Sequence, residues 1–78
     1  MNTVIVYSTP SCPWCHKVKE YLTEKKVVFT DINVAEDEAK AQEMMDKSGQ
    51  LAVPVVDING KIIIGFDKPA IDLALNLS

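Results

Sequence analysis

Two cysteines, Cys12 and Cys15, stand three positions apart at the point where one sequence pattern gives way to another. Before them runs Val4-Ile5-Val6-Tyr7, a β-branched and apolar segment that reads as a short strand buried on both faces. After them Cys15, Val18 and Leu22 recur at helical spacing. The helical pattern runs from Cys12 to about Lys26, and Lys25 and Lys26 suit the negative end of a helix dipole. Ser8-Thr9-Pro10-Ser11 links the two patterns, with Ser11 expected as the helix N-cap. A cysteine pair this close constrains almost no loop, so it is a poor structural staple. It falls instead at the carboxyl end of a strand, where open α/β sheets place their sites.

The rest of the chain continues the alternation. Val27-Val28-Phe29 reads as a second strand, and Glu36-Asp37-Glu38 opens a second helix with negative charge in its first turn. Ala41, Met44 and Met45 form the expected apolar face of that helix, and Gly49 its end. Pro54-Val55-Val56-Asp57-Ile58 and Lys61-Ile62-Ile63-Ile64 flank Asn59-Gly60, a strong signal for a tight hairpin because both turn residues need positive φ. Asp67 then caps a last helix with Ile71, Ala74 and Leu75 on one face. The order is β-α-β-α-β-β-α, an α/β chain. A βαβ unit supplies two parallel strands, a hairpin extends the sheet antiparallel, and helices cover both faces. No linker or internal repeat interrupts the 78 residues, so one domain over 1–78 is expected.

Composition narrows the function classes. Apolar residues make up 47% and charged residues 24%, values typical of a globular chain. The eight basic residues, all Lys, face eleven acidic ones, for a net charge of −3. A mildly acidic chain without a basic stripe is a poor match for nucleic acid or an anionic membrane. No apolar run approaches a membrane span of about 20 residues. Met1-Asn2-Thr3 shows no basic and apolar leader pattern, so a cytoplasmic monomer is expected.

The thiolate is the reactive form of cysteine. Cys12, just after Ser11, is placed at the first helical position, where unpaired N–H groups and the dipole favour negative charge. Cys15 lies one turn further, on the core stripe, and is expected to be more buried and less ionised. Cys12 is therefore assigned to attack a substrate disulfide, and Cys15 to attack Cys12 and release the product. Pro13 suits the first turn, and Trp14 is expected on the rim of the site. Three other readings of the pair compete with this one. Zinc needs four ligands, and the chain has two Cys and one His. Cys12-Pro13-Trp14-Cys15-His16 also matches the haem-attachment pattern, which belongs to exported proteins. An iron–sulfur cluster-binding module is the alternative from a different functional class. No metal ligand is assigned.

Tyr7-Ser8-Thr9-Pro10-Ser11-Cys12-Pro13-Trp14-Cys15-His16 closely resembles the active-site segment of dithiol glutaredoxins, where C-P-Y/W-C follows the first strand. Val53-Pro54 is similar to the end of their T-V-P motif, and Gly65-Phe66-Asp67 to the end of G-G-x-D. The similarity spans essentially the whole chain in the right order. It implies a thioredoxin-like fold with a four-stranded mixed sheet of order 2-1-3-4. It implies a cis Val53–Pro54 bond packed against the cysteines, with the Val53 backbone pairing to an extended thiol substrate. Pro13, Trp14, Val53, Pro54, Gly65 and Asp67 become the implied substrate- or glutathione-binding residues. Asp67 and the last helix's N-terminus would take the γ-glutamyl end of glutathione. The implied activity is reduction of protein disulfides or glutathione mixed disulfides, with glutathione as cosubstrate and no tightly bound cofactor.

The chain departs from that family pattern at four places. Thr9 stands where a lysine often does, Gln50 where many members carry arginine, Ala52 for the Thr of T-V-P, and Ile64 for the first Gly of G-G. Lys17 or Lys68 would be the replacement cation. These departures, with Gly65-Phe66, resemble the redoxins that donate electrons to ribonucleotide reductase and are recharged by thioredoxin reductase. Pro13-Trp14 resembles the glutaredoxins. Glutathione and thioredoxin reductase therefore both stand as candidate reductants.

Overall fold

A strand that must be apolar on both faces belongs in the interior of a sheet, and Val4-Ile5-Val6-Tyr7 forms one of the two interior strands. The computed structural model describes residues 3–50 and 52–75; Met1 and Asn2 of the N-terminal segment read above lie outside the described residues. The elements are β1 (Val4–Ser8), α1 (Pro13–Glu24), β2 (Thr30–Asn33), α2 (Glu38–Ser48), β3 (Val55–Ile58), β4 (Lys61–Ile64) and α3 (Lys68–Leu75). The sheet order is β2-β1-β3-β4. β1 runs parallel to β2, and the β1–β3 and β3–β4 pairs are antiparallel. This is the thioredoxin-like arrangement that the sequence implied.

Strand alternation divides the core in two. Val4 and Val6 of β1, with Val56, Ile58 and Ile63, pack against Val18 and Leu22 of α1 and Ile71 and Leu75 of α3. Tyr7 and Val55 face the other way, against Met44 of α2. On that second face a buried carboxylate, Asp57, meets a cation: Lys47 Nζ donates to Asp57 Oδ2 at 2.7 Å and to the Tyr7 hydroxyl at 3.0 Å. Tyr7 in turn donates to Glu43 Oε2 at 2.5 Å. Asp57 holds the Lys47 ammonium well above the ordinary lysine value, so Lys47 stays charged at neutral pH. Asp57 also accepts from Gly60 N at 2.9 Å, tying the network to the hairpin, where Asn59 and Gly60 adopt φ of 53° and 91°. Among the described residues no helix is long and apolar enough to cross a membrane.

Several local expectations shift. The second strand begins at Thr30, not at Val27. Lys26 takes a left-handed φ of 60° and Val27 N bonds back to Leu22 O, so 27–29 is the connector out of α1. Val27 and Phe29 turn into the α1/α3 core while Val28 stays 88% exposed. β2 is an edge strand, and edge pairing by backbone tolerates the polar run Thr-Asp-Ile-Asn. The N-cap of α1 is Cys12 rather than Ser11, which moves Cys12 off the first helical position and puts Pro13 there. α1 ends at Glu24, so Lys25 and Lys26 follow the last turn. Pro54 precedes β3 instead of starting it. In α2, Met44 is buried and Met45 is largely exposed, and Gly49 ends the helix at φ 77°.

The division between core and surface carries a stability prediction. Leu22→Ala removes a fully buried side chain and is expected to cost about 3 kcal/mol. Leu73→Ala, on the exposed side of α3, is expected to change stability by less than about 0.5 kcal/mol. Urea unfolding followed by circular dichroism measures both, and equal effects would contradict the assigned core.

Candidate active site

The loop from β1 into α1 is drawn tight by its own backbone. Cys12 N donates to Thr9 O at 3.3 Å, and His16 Nε2 lies 3.2 Å from Pro10 O. Cys12 is extended, with φ −94° and ψ 110°, and caps α1 through its sulfur. Cys15 N donates to Cys12 Sγ at 3.1 Å. This bond satisfies one of the amides that a helix leaves unpaired at its start, and it is stronger to a thiolate than to a thiol. Pro13 follows at the first helical position, where its missing N–H costs nothing.

Cys15 lies one turn deeper and is fully buried. Burial pushes its thiol up to about 11, and the hydrogen bond with Cys12 pushes the same way. The Thr9 backbone and the Lys19 charge act against them. Both cysteines are free thiols, Cys12 partly exposed and Cys15 buried. One sulfur is thus reachable and held by an N–H donor, while its neighbour is sheltered and protonated at neutral pH.

A second loop closes over the first. The Val53–Pro54 peptide bond is cis, and Cys12 Sγ lies 3.9 Å from Val53 O. Gly65 N donates to Pro54 O at 2.9 Å, and Gly65 adopts φ 76°, a conformation that favours glycine. Trp14, Val53, Pro54, Gly65 and Phe66 line a cleft of about 280 Å³, which Cys12 adjoins through Val53 without lining it. Trp14 is 58% exposed, and its ring lies 6.4 Å from that of Phe66. Phe66 meets Tyr21 edge-on at 5.7 Å, so the cleft wall is anchored to α1. Lys17 lies over Trp14 at 5.8 Å and Lys68 over Phe66 at 5.6 Å, which puts two cations on the rim.

The structure therefore brings Cys12, Trp14, Val53, Pro54 and Gly65 together, with Cys15 beneath. Pro13 and Asp67 are not among the residues lining the cleft. Pro13 is exposed at the start of α1. Asp67 Oδ1 accepts from Ala70 N at 3.2 Å, so its carboxylate caps α3. Phe66 had no site role in the sequence reading; an aromatic directly after the glycine at the mouth of the last helix is the signal that marks it. His16 braces the loop through Pro10. Among the described residues no group of three or more His, Cys, Asp and Glu side chains is placed to hold a metal ion.

Comparison with known proteins agrees with this fold. The family model described as Glutaredoxin matches residues 4–63. An uncharacterized glutaredoxin-like 8.6 kDa protein in the rubredoxin operon of Clostridium pasteurianum is 54% identical over 67 residues, covering 86% of this chain and 89% of that protein. Glutaredoxin 3 of Escherichia coli K12 is 36% identical over 67 residues, covering 86% of this chain and 81% of its own. The crystal structure of a glutaredoxin from Archaeoglobus fulgidus superposes with a TM-score of 0.86 at 25% identity, covering 96% of this chain and 87% of that one.

The burial of Cys15 has a direct chemical consequence. With its thiol near 11 rather than the ordinary 9.0, Cys15 carries about a hundredfold less thiolate at pH 7 than an unperturbed thiol. In a Cys12→Ser variant, iodoacetamide is expected to modify Cys15 slowly at pH 7, with the rate still rising above pH 9. In Cys15→Ser, Cys12 is expected to react readily at pH 7. Mass spectrometry of timed aliquots reads both rates, and fast labelling of Cys15 at neutral pH would contradict its assigned burial.

Proposed function

The chain belongs to the glutaredoxin family, and from that premise we propose that it is a dithiol thiol–disulfide oxidoreductase working through Cys12 and Cys15. Cys12 thiolate attacks one sulfur of a substrate disulfide. The substrate S–S bond breaks, a Cys12–substrate mixed disulfide forms, and the first substrate sulfur leaves as a thiolate that takes up a proton. Cys15 then loses its proton to solvent and attacks Cys12 Sγ. The Cys12–Cys15 disulfide forms, the mixed disulfide breaks, and the second substrate thiol is released. Two electrons pass from the dithiol to the substrate. An external thiol or reductase returns them.

The observation that carries this reading is the asymmetry of the two sulfurs. Cys12 Sγ is partly exposed, is held by Cys15 N–H, and lies 3.9 Å from the carbonyl oxygen of the cleft residue Val53, whereas Cys15 is buried. A substrate thiol seated in the cleft meets Cys12 first. The Val53 backbone is offered to an extended substrate as a short strand addition. Glutathione is the proposed cosubstrate, with Lys17 and Lys68 at hand for its carboxylates, and no tightly bound cofactor is invoked. A free dithiol of this kind belongs in a reducing compartment, here the cytoplasm. Protein disulfides and glutathione mixed disulfides are the proposed substrates.

One feature favours a second reading of the electron donor. Ile64, which replaces a glycine of the family pattern, is 48% exposed and directly precedes the cleft residue Gly65. A branched side chain there crowds an approach that glycine leaves open. In this reading the protein is a redoxin that serves ribonucleotide reductase and is recharged by thioredoxin reductase.

Cys12→Ser is expected to bring reduction of every disulfide to background. Cys15→Ser is expected to keep turnover of glutathione mixed disulfides while losing reduction of protein disulfides. The reverse pattern in a coupled NADPH assay would overturn the assignment of roles. The donor is settled by two parallel assays of the oxidised protein, one with glutathione and glutathione reductase, one with thioredoxin reductase. If Ile64 blocks the glutathione groove, Ile64→Gly lowers the KM for glutathione severalfold. An unchanged KM removes the steric argument for the second reading.

A further inference from the structure

Behind Cys15 lies a polar cluster that the dithiol reaction leaves unused. Lys19 follows Cys15 by one helical turn, so the two side chains lie on the same side of α1. Lys19 Nζ reaches Asp31 Oδ2 at 3.1 Å and Ser8 Oγ at 3.5 Å. Ser8 donates to Asp31 Oδ1 at 2.8 Å. Ser8 ends β1 and is 2% exposed, and Asp31 stands in the edge strand β2. The Lys19 side chain is 21% exposed, and its ammonium is tied to Ser8 and Asp31. β1 and β2, the two parallel strands, thus fix a cation one helical turn from Cys15.

We propose that Lys19 is a positioning residue for the resolving step, its ammonium fixed by Ser8 and Asp31 so that it stabilises the thiolate that Cys15 must become. The proposal rests on the dithiol reading above. In the reduced protein the Cys12 sulfur and burial both oppose ionisation of Cys15. Once Cys12 is tied up in the mixed disulfide it carries no charge, and burial remains. The groups left acting for the thiolate are the Thr9 backbone and Lys19. Asp31, behind Lys19, tempers the cation while holding it in place; Cys12 is the other titratable group acting on Cys15 from α1. No added reactant is needed: the Cys15 proton goes to solvent, the Cys12–Cys15 bond forms, and the substrate thiolate leaves.

The test separates the two chemical steps. A neutral probe, 2,2′-dipyridyl disulfide, releases one pyridine-2-thione when Cys12 attacks and a second when Cys15 resolves the mixed disulfide. Stopped-flow absorbance follows both phases from pH 6 to pH 9. Lys19→Gln is expected to slow the second phase about tenfold at pH 7 and to move its midpoint up by about one pH unit. The first phase serves as internal reference. Lys19→Arg is expected to restore the second phase. Asp31→Asn keeps an oxygen for Ser8 and leaves Lys19 less neutralised, so its second-phase midpoint is expected to fall. Equal slowing of both phases by Lys19→Gln, an unmoved midpoint, or an upward shift in Asp31→Asn would overturn the proposal. A wild-type protein that releases only one pyridine-2-thione would sink the dithiol reading and this proposal together, and two released in one phase whose rate ignores Lys19→Gln would sink this proposal. Two phases indifferent to Lys19 would sink this proposal alone.

Discussion

The hydrogen bond from Cys15 N–H to Cys12 Sγ fixes much of what surrounds it. A helix must dispose of the amides at its first turn, and side-chain oxygens usually do so. Here a sulfur takes that place. The reactive atom is therefore also a structural cap, and its position follows from where α1 begins. That start is set in turn by β1, whose burial on both faces leaves it no place but the sheet interior, and by Pro13, which accepts the first helical position. The same bond orders the two thiols. Spacing of three puts the second cysteine on the inner stripe of the helix that the first one caps.

The two faces of the sheet answer different needs. On the α2 face Lys47, Tyr7, Glu43 and Asp57 form a network in which the buried carboxylate has its cation at 2.7 Å and a backbone N–H at 2.9 Å. A chain of 78 residues buries only about 60% of the surface it exposes unfolded, so an unpaired charge there would be hard to tolerate. On the α1 face the core beneath the cysteines is apolar, apart from Ser8 with Lys19 and Asp31 at the sheet edge. The first network clamps a helix to the sheet. The second leaves its cation close enough to Cys15 to act on that thiol.

Much of this was legible in the sequence because several signals coincided. Asn59-Gly60 can make little except a tight turn between apolar runs, and Cys15, Val18 and Leu22 could share only a helix face. The misplaced second strand shows where such reading fails. Val27-Val28-Phe29 is apolar and β-branched, yet its apolar side chains serve tertiary packing, while the strand is made by Thr30–Asn33 through backbone pairing at an edge. Composition does not distinguish these uses. The N-cap was misassigned for a related reason. Serine outranks cysteine as a cap in general preference, and only the backbone at Cys12 shows that the sulfur takes the amide. Phe66 is visible in the sequence only as part of a motif, because its place in the cleft depends on Trp14 and Tyr21, which converge on it from α1.

Burying Cys15 has a cost and a use, and both come from the same desolvation. A protonated second thiol attacks slowly, so the mixed disulfide persists for a time. Yet a second thiol as exposed as the first would compete for incoming disulfides. Burial resolves the competition by keeping the inner sulfur neutral until the outer one is engaged. In the proposed reaction one of the forces that raise the inner thiol, the charge on Cys12, is removed when Cys12 becomes part of a mixed disulfide. The proposed order of the two attacks thus follows from the electrostatics of one helix turn. The cleft formed by Trp14, the cis-proline loop and Gly65-Phe66 presents the substrate to the outer sulfur, and the sheet side of α1 governs the inner one.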